Sequence, residues 1–307
     1  MRIFLATFVF FFNGFVVIVL FLKLATEWPE FMRYWHNTEK FIKSKVLLPR
    51  FFVLLPFVIL GAAAVEHGLF IAYCVTYEVF NGNISINGYE HFMTNDLYVF
   101  NYISYTWYLG VFLKFTSVIN TFYWNFMDVF VILMSIALAR MLALINERIR
   151  FSNEIKIAEW SEIRRQYNKV YELCNQLEDK ISPILLLSFS SNLYFVLVQL
   201  HGSVEKRDTV MESIYFFYSF GLLLIRTLAV CLFVARIDDE NKSSLRFLSC
   251  LKTFNSESKR LLQQIGTTRM ALSGMNFFSV TRGLILNIAA AIVTYEIFFI
   301  QYVNTAT

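Results

Sequence analysis

The chain has 307 residues, of which 57% are hydrophobic and only 16% are charged, and its mean hydropathy is +0.53. Soluble domains average about 45–50% apolar and about 25% charged residues, so this composition excludes disorder and argues strongly against a soluble globule. With only 11 Gly, 4 Pro and 4 scattered Cys, the chain is neither turn-rich nor a disulfide framework. The composition predicts an all-α membrane protein, and the net charge of +4 gives no indication of a nucleic-acid partner.

Six segments are long and apolar enough to cross a membrane as helices, because a crossing needs about 20 mostly apolar residues. The third segment lies within an apolar run from Leu97 to Ile145 that is long enough for two crossings. The predicted spans are Ile3–Leu24, Phe51–Val75, Thr116–Leu144, Ile181–Leu200, Ile214–Ala235 and Gly283–Tyr302.

Basic residues predict the orientation of these spans, since Lys and Arg collect in cytoplasmic loops. Residues 23–50 contain six of them, residues 140–180 contain eight, and residues 236–282 contain another eight. Placing all three basic segments on one side leaves a single crossing between Leu97 and Ile145. The loop 76–96 contains no Lys or Arg but does contain a glycosylation sequon at Asn83, which predicts an external loop. This topology places both termini outside.

Two stretches between predicted spans show heptad-like seams on otherwise polar helices. The first seam consists of Trp160, Ile163, Tyr167, Val170, Cys174, Leu177 and Ile181. The second consists of Phe247, Leu251, Phe254, Ser258, Leu261 and Ile265. We expect both helices to continue the adjacent spans into the cytosol, where each seam either packs within its own subunit or forms an oligomerising base.

The predicted organisation therefore alternates membrane helices with cytoplasmic helical extensions. Membrane helices and their loops occupy residues 1–150 and 181–236. Cytoplasmic helices occupy residues 151–180 and 237–282. Residues 283–307 form the last membrane helix and an extracellular C-terminus.

The last span ends in the sequence Thr294-Tyr295-Glu296-Ile297-Phe298-Phe299-Ile300-Gln301-Tyr302. It resembles the C-terminal signature of insect gustatory receptors, which is Thr-Tyr, five apolar residues, Gln and then Phe. Here Glu296 takes the first apolar position and Tyr302 replaces the Phe, and a Glu after Thr-Tyr is similar to the sugar-receptor branch. Further stretches that resemble this branch are Leu24-Ala25-Thr26-Glu27-Trp28-Pro29, Val65-Glu66-His67 and Trp124-Asn125-Phe126-Met127-Asp128.

The resemblance covers nearly the whole chain and implies a ligand-gated, non-selective cation channel in the plasma membrane of taste cells. It implies a homo- or heterotetramer of gustatory receptor subunits, with a central pore lined by the last helix and a shared cytoplasmic anchor. By alignment the six spans are equivalent to spans 2–7 of a seven-span insect chemoreceptor channel, so we expect the family's first span to be absent from this sequence. No cofactor and no metal is implied.

The last span has a face that suits a pore. The residues Ala290, Thr294 (or Val293), Ile297 and Gln301 share this face by helical spacing. In an assembly they would form rings of small, hydroxyl, apolar and amide groups, and an uncharged amide ring contacts cations without strong selectivity. The alternative is that Gln301 is simply a polar residue at a helix end.

A sugar site needs aromatic walls and a few convergent polar groups. At about 1.5 Å of rise per residue, groups of this kind reach the outer half of four predicted spans. The candidate ligand-binding residues are Glu66, His67, Trp124, Asn125, Asp128, Asn192, Tyr194, Gln199 and Tyr215. Each could instead bond a neighbouring helix, and Asp128 could pair with Arg226, which lies at a comparable depth.

Other functional classes find less support in the sequence. There is no G-x-S-x-G, no H-E-x-x-H and no phosphate-binding loop, so we expect no enzyme. A G-protein-coupled receptor would place the C-terminus inside. The remaining alternatives are a related insect chemoreceptor channel for a non-sugar ligand and a membrane transporter, although the internal repeats typical of secondary transporters are missing.

Overall fold

The computed structural model describes residues 2–42, 48, 50–80, 104, 106–151, 157–203, 207, 209–251 and 254–306. It describes the backbone alone at 2–4, 77–80, 157–158, 296, 298–300 and 302–306. The predicted glycosylation site at Asn83 lies outside the described residues. The elements in chain order are α1 (Arg2–Phe41), α2 (Phe51–Phe80), α3 (Trp107–Arg150), α4 (Ile157–Ser203), α5 (Val210–Ser249), α6 (Ser256–Thr267), β1 (Ser273–Gly274), β2 (Phe278–Ser279) and α7 (Arg282–Ala306).

The prediction of an all-α membrane protein is confirmed. Within the described residues, α1 to α5 are each long and apolar enough to cross a membrane, and each contains one of the first five predicted spans. The helix α7 contains the predicted sixth span, but its described apolar part, Arg282–Tyr295, is shorter, so the sixth crossing stays a prediction.

The long helices extend well beyond the membrane. The helix α4 has 47 residues, which at about 1.5 Å of rise per residue gives a length of about 70 Å, against about 30 Å of hydrocarbon. The predicted boundary between residues 180 and 181 therefore falls within a continuous helix. Pro183 lies in this helix without ending it.

The centre of the bundle is α3, which packs against α1, α2, α4 and α5. Its buried side runs from Asn120 to Ile149 and includes the fully enclosed Met127, Ile132 and Leu142. Burial on this scale, in a helix surrounded by other apolar helices, fixes the relative positions of the four neighbours and so the cavity between them.

The first predicted seam is buried within the chain itself. All seven of its residues, from Trp160 to Ile181, are at most 4% exposed and belong to the main apolar core. These side chains are already covered, so they favour the interpretation that the seam packs within one subunit.

The prediction that the second seam lies on one helix continuing the fifth span is wrong. The helix α5 ends at Ser249, and α6 begins at Ser256. Asn255 starts the new helix because its side chain accepts a hydrogen bond from the Ser258 amide at 2.8 Å, while the Ser258 hydroxyl accepts one from the Asn255 amide at 3.0 Å. This reciprocal capping box satisfies amides that a new helix would otherwise leave unpaired.

A short hairpin, which the sequence analysis did not predict, precedes α7. Its strands pair Ser273 with Ser279 and Gly274 with Phe278. The turn places Met275 and Asn276 at positive φ values of 48° and 61°, and a Cβ on Gly274 would lie 2.5 Å from the Phe278 ring. A larger residue at position 274 would therefore have to displace the Phe278 ring.

Candidate ligand-binding site

A cavity of about 220 Å³ opens among α1 to α5, in the half of the bundle predicted to lie outside. Every one of these five helices contributes to it. Its lining consists of Phe10, Glu66, His67, Phe70, Ser117, Thr121, Trp124, Asn125, Phe195, Gln199, Tyr215, Ser219, Leu223 and Arg226. Apolar walls with a few converging polar groups are typical of small-molecule sites.

One wall of the cavity carries a chain of hydrogen bonds that joins α2, α4 and α5. The Ser219 hydroxyl donates to Glu66 Oε1 at 2.5 Å, and Gln199 Nε2 donates to Ser219 Oγ at 3.1 Å. Gln199 Oε1 is buried and has no hydrogen-bond partner within the described part of the chain. An unsatisfied buried acceptor costs about 1–3 kcal/mol, so this oxygen is available to a donor on a ligand.

Arg226 forms the floor of the cavity and belongs to a buried ion pair. Arg226 Nε lies 2.9 Å from Asp128 Oδ2, with the two side chains 4% and 0% exposed. Arg226 Nε has no hydrogen-bond partner among the described residues. Its contact with Asp128 is therefore an ion pair without a hydrogen bond. Arg226 also donates to Asn125 Oδ1 and stacks over the Trp124 ring, 4.4 Å from its centroid.

Further hydrogen bonds fix Asp128 and the Trp124 ring beside Arg226. Asp128 accepts from the Ser188 hydroxyl at 2.5 Å and from Asn192 Nδ2 at 3.0 Å. Asn192 Oδ1 accepts from Trp124 Nε1 at 3.0 Å. A buried charge is tolerated only when it is paired and hydrogen-bonded in this way, so the floor is a rigid unit shared by α3, α4 and α5.

Aromatic rings form the remaining walls. The Trp124 and Phe195 rings pack with centroids 4.6 Å apart. Between α2 and α5, Tyr215 stacks on Tyr73 at 5.7 Å and packs against Phe70 at 5.6 Å. Such faces offer apolar surface to a ligand that also carries polar groups.

Of the nine residues predicted to bind a ligand, the structure brings six to the cavity wall: Glu66, His67, Trp124, Asn125, Gln199 and Tyr215. Asp128 and Asn192 lie beneath the floor, where they hold Arg226 and Trp124. The ion pair of Asp128 and Arg226 is the alternative that the sequence left open. Tyr194 is not part of the lining and packs edge-on against Phe195, with centroids 5.1 Å apart.

Several lining residues were not predicted, although helical spacing gives a signal for them. Ser117 and Thr121 precede Asn125 by eight and four residues on α3, and Ser219 and Leu223 follow Tyr215 by four and eight on α5. Residues four apart share a helix face. Phe10 has no such signal, because it lies on α1, a helix without a predicted site residue.

The predicted pore residues lie on the side of α7 that is turned away from the bundle. Leu284, Ile285 and Ile288 pack against the apolar core. The exposed residues on the opposite side are Ala290, Thr294, Ile297 and Gln301, together with Val293. The Thr294 hydroxyl donates to the Ala290 carbonyl at 2.8 Å. This face is therefore open to contact outside the chain.

Comparison with known proteins identifies the family. A family described as "Trehalose receptor" matches residues 4–307. The chain is 36% identical over 305 residues to the gustatory receptor for sugar taste 64f of Drosophila melanogaster, covering 95% of this chain and 65% of that protein. It is 33% identical over 294 residues to the gustatory receptor 5a for trehalose of the same species, covering 92% of this chain and 66% of that protein. The chain thus spans just under two thirds of the length of these relatives.

Solved structures share the fold. The insect olfactory receptor OR5 from Machilis hrabei matches with a TM-score of 0.67 at 12% identity, covering 97% of this chain and 80% of that chain. Its complex with eugenol matches with a TM-score of 0.66, also at 12% identity, covering 96% of this chain and 79% of that chain. The family is one of receptors and not a class of enzymes, in agreement with the expectation from the sequence. The chain belongs to the trehalose receptor family, the sugar gustatory receptors of insects.

Proposed function

We propose that the chain is a subunit of a sugar-sensing receptor in the plasma membrane of insect taste cells. A sugar binds in the cavity among α1 to α5 and opens a non-selective cation pore lined by α7 in a tetramer of such subunits. The C-terminus lies outside the cell. Family membership supports the sensing of sugars, since the relatives named above are receptors for sugar taste and for trehalose.

The cavity carries the proposal, because its chemistry matches a carbohydrate. Sugar hydroxyls are donors as well as acceptors, and Gln199 Oε1 is a buried acceptor with no partner among the described residues. Glu66 and Arg226 supply a carboxyl group and a cationic donor on the same lining. The C–H faces of a sugar ring fit the rings of Phe195 and Tyr215.

The composition of α7 supports the proposal of a pore. Its outward face carries no charged residue among Ala290, Thr294, Ile297 and Gln301. In a closed ring of subunits, Ile297 would form an apolar constriction that gates by dewetting, and Gln301 would form an amide ring that contacts cations.

The test is the whole-cell current evoked by a panel of mono- and disaccharides, with the chain expressed alone and with a fruit-fly relative. We expect at least one sugar to evoke a cation current that saturates with concentration. Saturable sugar uptake without current would indicate a transporter, and a current evoked only by non-sugar ligands would indicate a related chemoreceptor channel.

Two cavity variants locate the binding site. Trp124→Ala removes an aromatic wall, and Gln199→Met removes the unpaired acceptor while preserving side-chain length. Each should raise the half-maximal sugar concentration about tenfold, the effect of losing about 1.4 kcal/mol of binding energy. Tyr194→Ala is the matched control, because Tyr194 neighbours Phe195 outside the lining and its loss should change the response little. Equal responses of all three variants and the unmodified chain, at equal surface expression, would exclude this cavity.

A further inference from the structure

The hairpin before α7 is fastened to α4. The Ser273 hydroxyl, on a residue only 4% exposed, donates to Glu178 Oε1. The rings of Phe278 and Phe189 pack with centroids 5.1 Å apart. One polar and one apolar contact therefore tie both strands to the same helix.

The first residue of α7 is fastened to α5. Arg282 Nε lies 2.6 Å from Asp239 Oδ2 in a charge-assisted hydrogen bond. Two residues earlier, Val280 is fully buried, and its amide donates to the Leu272 carbonyl at 2.9 Å. Leu272 is also fully buried. The segment 272–282 is thus anchored in the core at Leu272 and Val280 and tied to α5 by the Arg282 ion pair.

The two helices that hold this segment also line the ligand cavity. Gln199 follows Glu178 by 21 residues on α4, which is about 30 Å along the axis. Arg226 precedes Asp239 by 13 residues on α5, which is about 20 Å. Both helices are continuous between these points, so each connects the cavity with the start of α7.

We propose that Glu178 and Asp239 are positioning residues that transmit ligand-induced displacements of α4 and α5 to the N-terminal end of α7. This inference rests on the proposed function, since it assigns the path from the cavity to the pore. A ligand that bridges Gln199 and Ser219 changes the relative position of the two helices. Because each helix contacts a different part of the segment 272–282, a shift of α4 relative to α5 alters the position of α7.

The ion pair offers the cleaner test, because Arg282 is 75% exposed and Asp239 is 27% exposed. Exposed pairs contribute little to stability, so breaking this pair leaves the fold intact. The matched control is the pair of Lys242 and Asp238, which is 2.6 Å long and lies entirely within α5, beside Asp239.

The experiment measures sugar-evoked current and surface expression of the full chain carrying Asp239→Arg, Arg282→Asp, both changes together, or Lys242→Gln. Each single charge reversal should raise the half-maximal sugar concentration about two- to fivefold or reduce the maximal current by a similar factor. The double reversal should restore the response, because it rebuilds the pair with opposite polarity. Lys242→Gln should behave like the unmodified chain.

A second arm tests α4. Ser273→Ala removes the hydroxyl that bonds Glu178 and should shift the response in the same direction, while Glu178→Gln, which keeps an acceptor, should shift it less. If the unmodified chain responds to sugar and each single charge reversal responds identically to it, the inference is overturned and the proposed function stands. An unmodified chain that reaches the surface and gives no sugar-evoked current would overturn both the inference and the proposed function.

Discussion

At the scale of single residues, the buried pair of Asp128 and Arg226 carries a large desolvation cost. Burial of Asp128 and Arg226 requires each to neutralise the other, and Ser188, Asn192 and Asn125 complete their hydrogen bonds. Continuum reasoning and mutational data agree that removing one member of such a pair costs more than removing both.

Asp128→Asn should therefore destabilise the receptor by about 3–5 kcal/mol, because it leaves the Arg226 guanidinium buried without a counter-charge. The measurement is the thermal unfolding midpoint in detergent. The double change Asp128→Asn with Arg226→Gln should recover part of the loss. A single variant as stable as the unmodified protein would show that the pair is solvated or absent.

A close helix approach at Gly14 gives a second prediction. A Cβ at this position would clash with the amide group of Asn120, a residue that is only 4% exposed. Gly14→Ala should push α1 away from α3 and cost about 1–3 kcal/mol, seen as a lower unfolding midpoint. Gly221→Ala on α5 is the control, because nothing lies within 4 Å of its new methyl group. A Gly14→Ala variant no less stable than Gly221→Ala would refute this packing.

The kinds of residue that line the cavity were easier to predict from the sequence than the particular side chains that form its walls. The depth of Glu66, Trp124 and Gln199 followed from residue counting along apolar spans, and all three line the cavity. Residue counting does not give the rotation of each helix about its axis, which is set by packing against neighbours. For this reason Tyr194 was included, although it lies outside the lining, and Arg226 was considered only as a partner for Asp128.

At the scale of elements, a small polar cluster joins α1 and α4 in the part of the bundle predicted to be cytoplasmic. Tyr34 Oη donates to Glu172 Oε2 at 2.7 Å, and Lys169 Nζ lies 2.9 Å from the same oxygen. The Lys169 ammonium and then the Tyr34 hydroxyl hold the pKa of the Glu172 carboxyl below its ordinary value. The cluster therefore favours the folded state when Glu172 is ionised.

This lowered pKa predicts a pH dependence with a definite sign. The stabilisation is fully present above the ordinary pKa of a glutamate, about 4.3, and is lost as the pH falls through the lower pKa of the folded state. The unfolding midpoint of Glu172→Gln should thus lie below that of the unmodified protein at pH 7, and the gap should narrow as the pH falls below about 4. Because the cluster is largely exposed, the gap is expected to be small. A gap that widens on acidification would contradict the assignment.

Helices were more predictable than the connections between them. Each of the first five predicted spans falls within a single observed helix, because long apolar runs have few alternative structures in a membrane. The break before α6 was missed because the apolar spacing from Phe247 to Ile265 continues across it. The position at which the new helix begins is set instead by the local cap at Asn255. The hairpin at Ser273–Ser279 was missed because its strands are only two residues long.

At the scale of the whole molecule, one chain leaves the outward face of α7 uncovered. Val293 and Ile297 are each more than half exposed, while Ile288 on the other side packs against the core. A closed ring of subunits is the arrangement that would place this face around a shared axis. The ligand cavity, the segment 272–282 and α7 would then form one path within each subunit.

The most direct test of this account is the accessibility of α7 while a sugar holds the channel open. The measurement is sugar-evoked current through Ile297→Cys during external application of a membrane-impermeant, cationic thiol reagent, with Ile288→Cys as the matched control. Three native cysteines are buried, and the exposed one, Cys250, lies on the predicted cytoplasmic side. The account predicts persistent block of Ile297→Cys in the presence of sugar and no block of Ile288→Cys. A sugar-evoked current through Ile297→Cys that the reagent leaves unchanged would contradict a pore lined by this face.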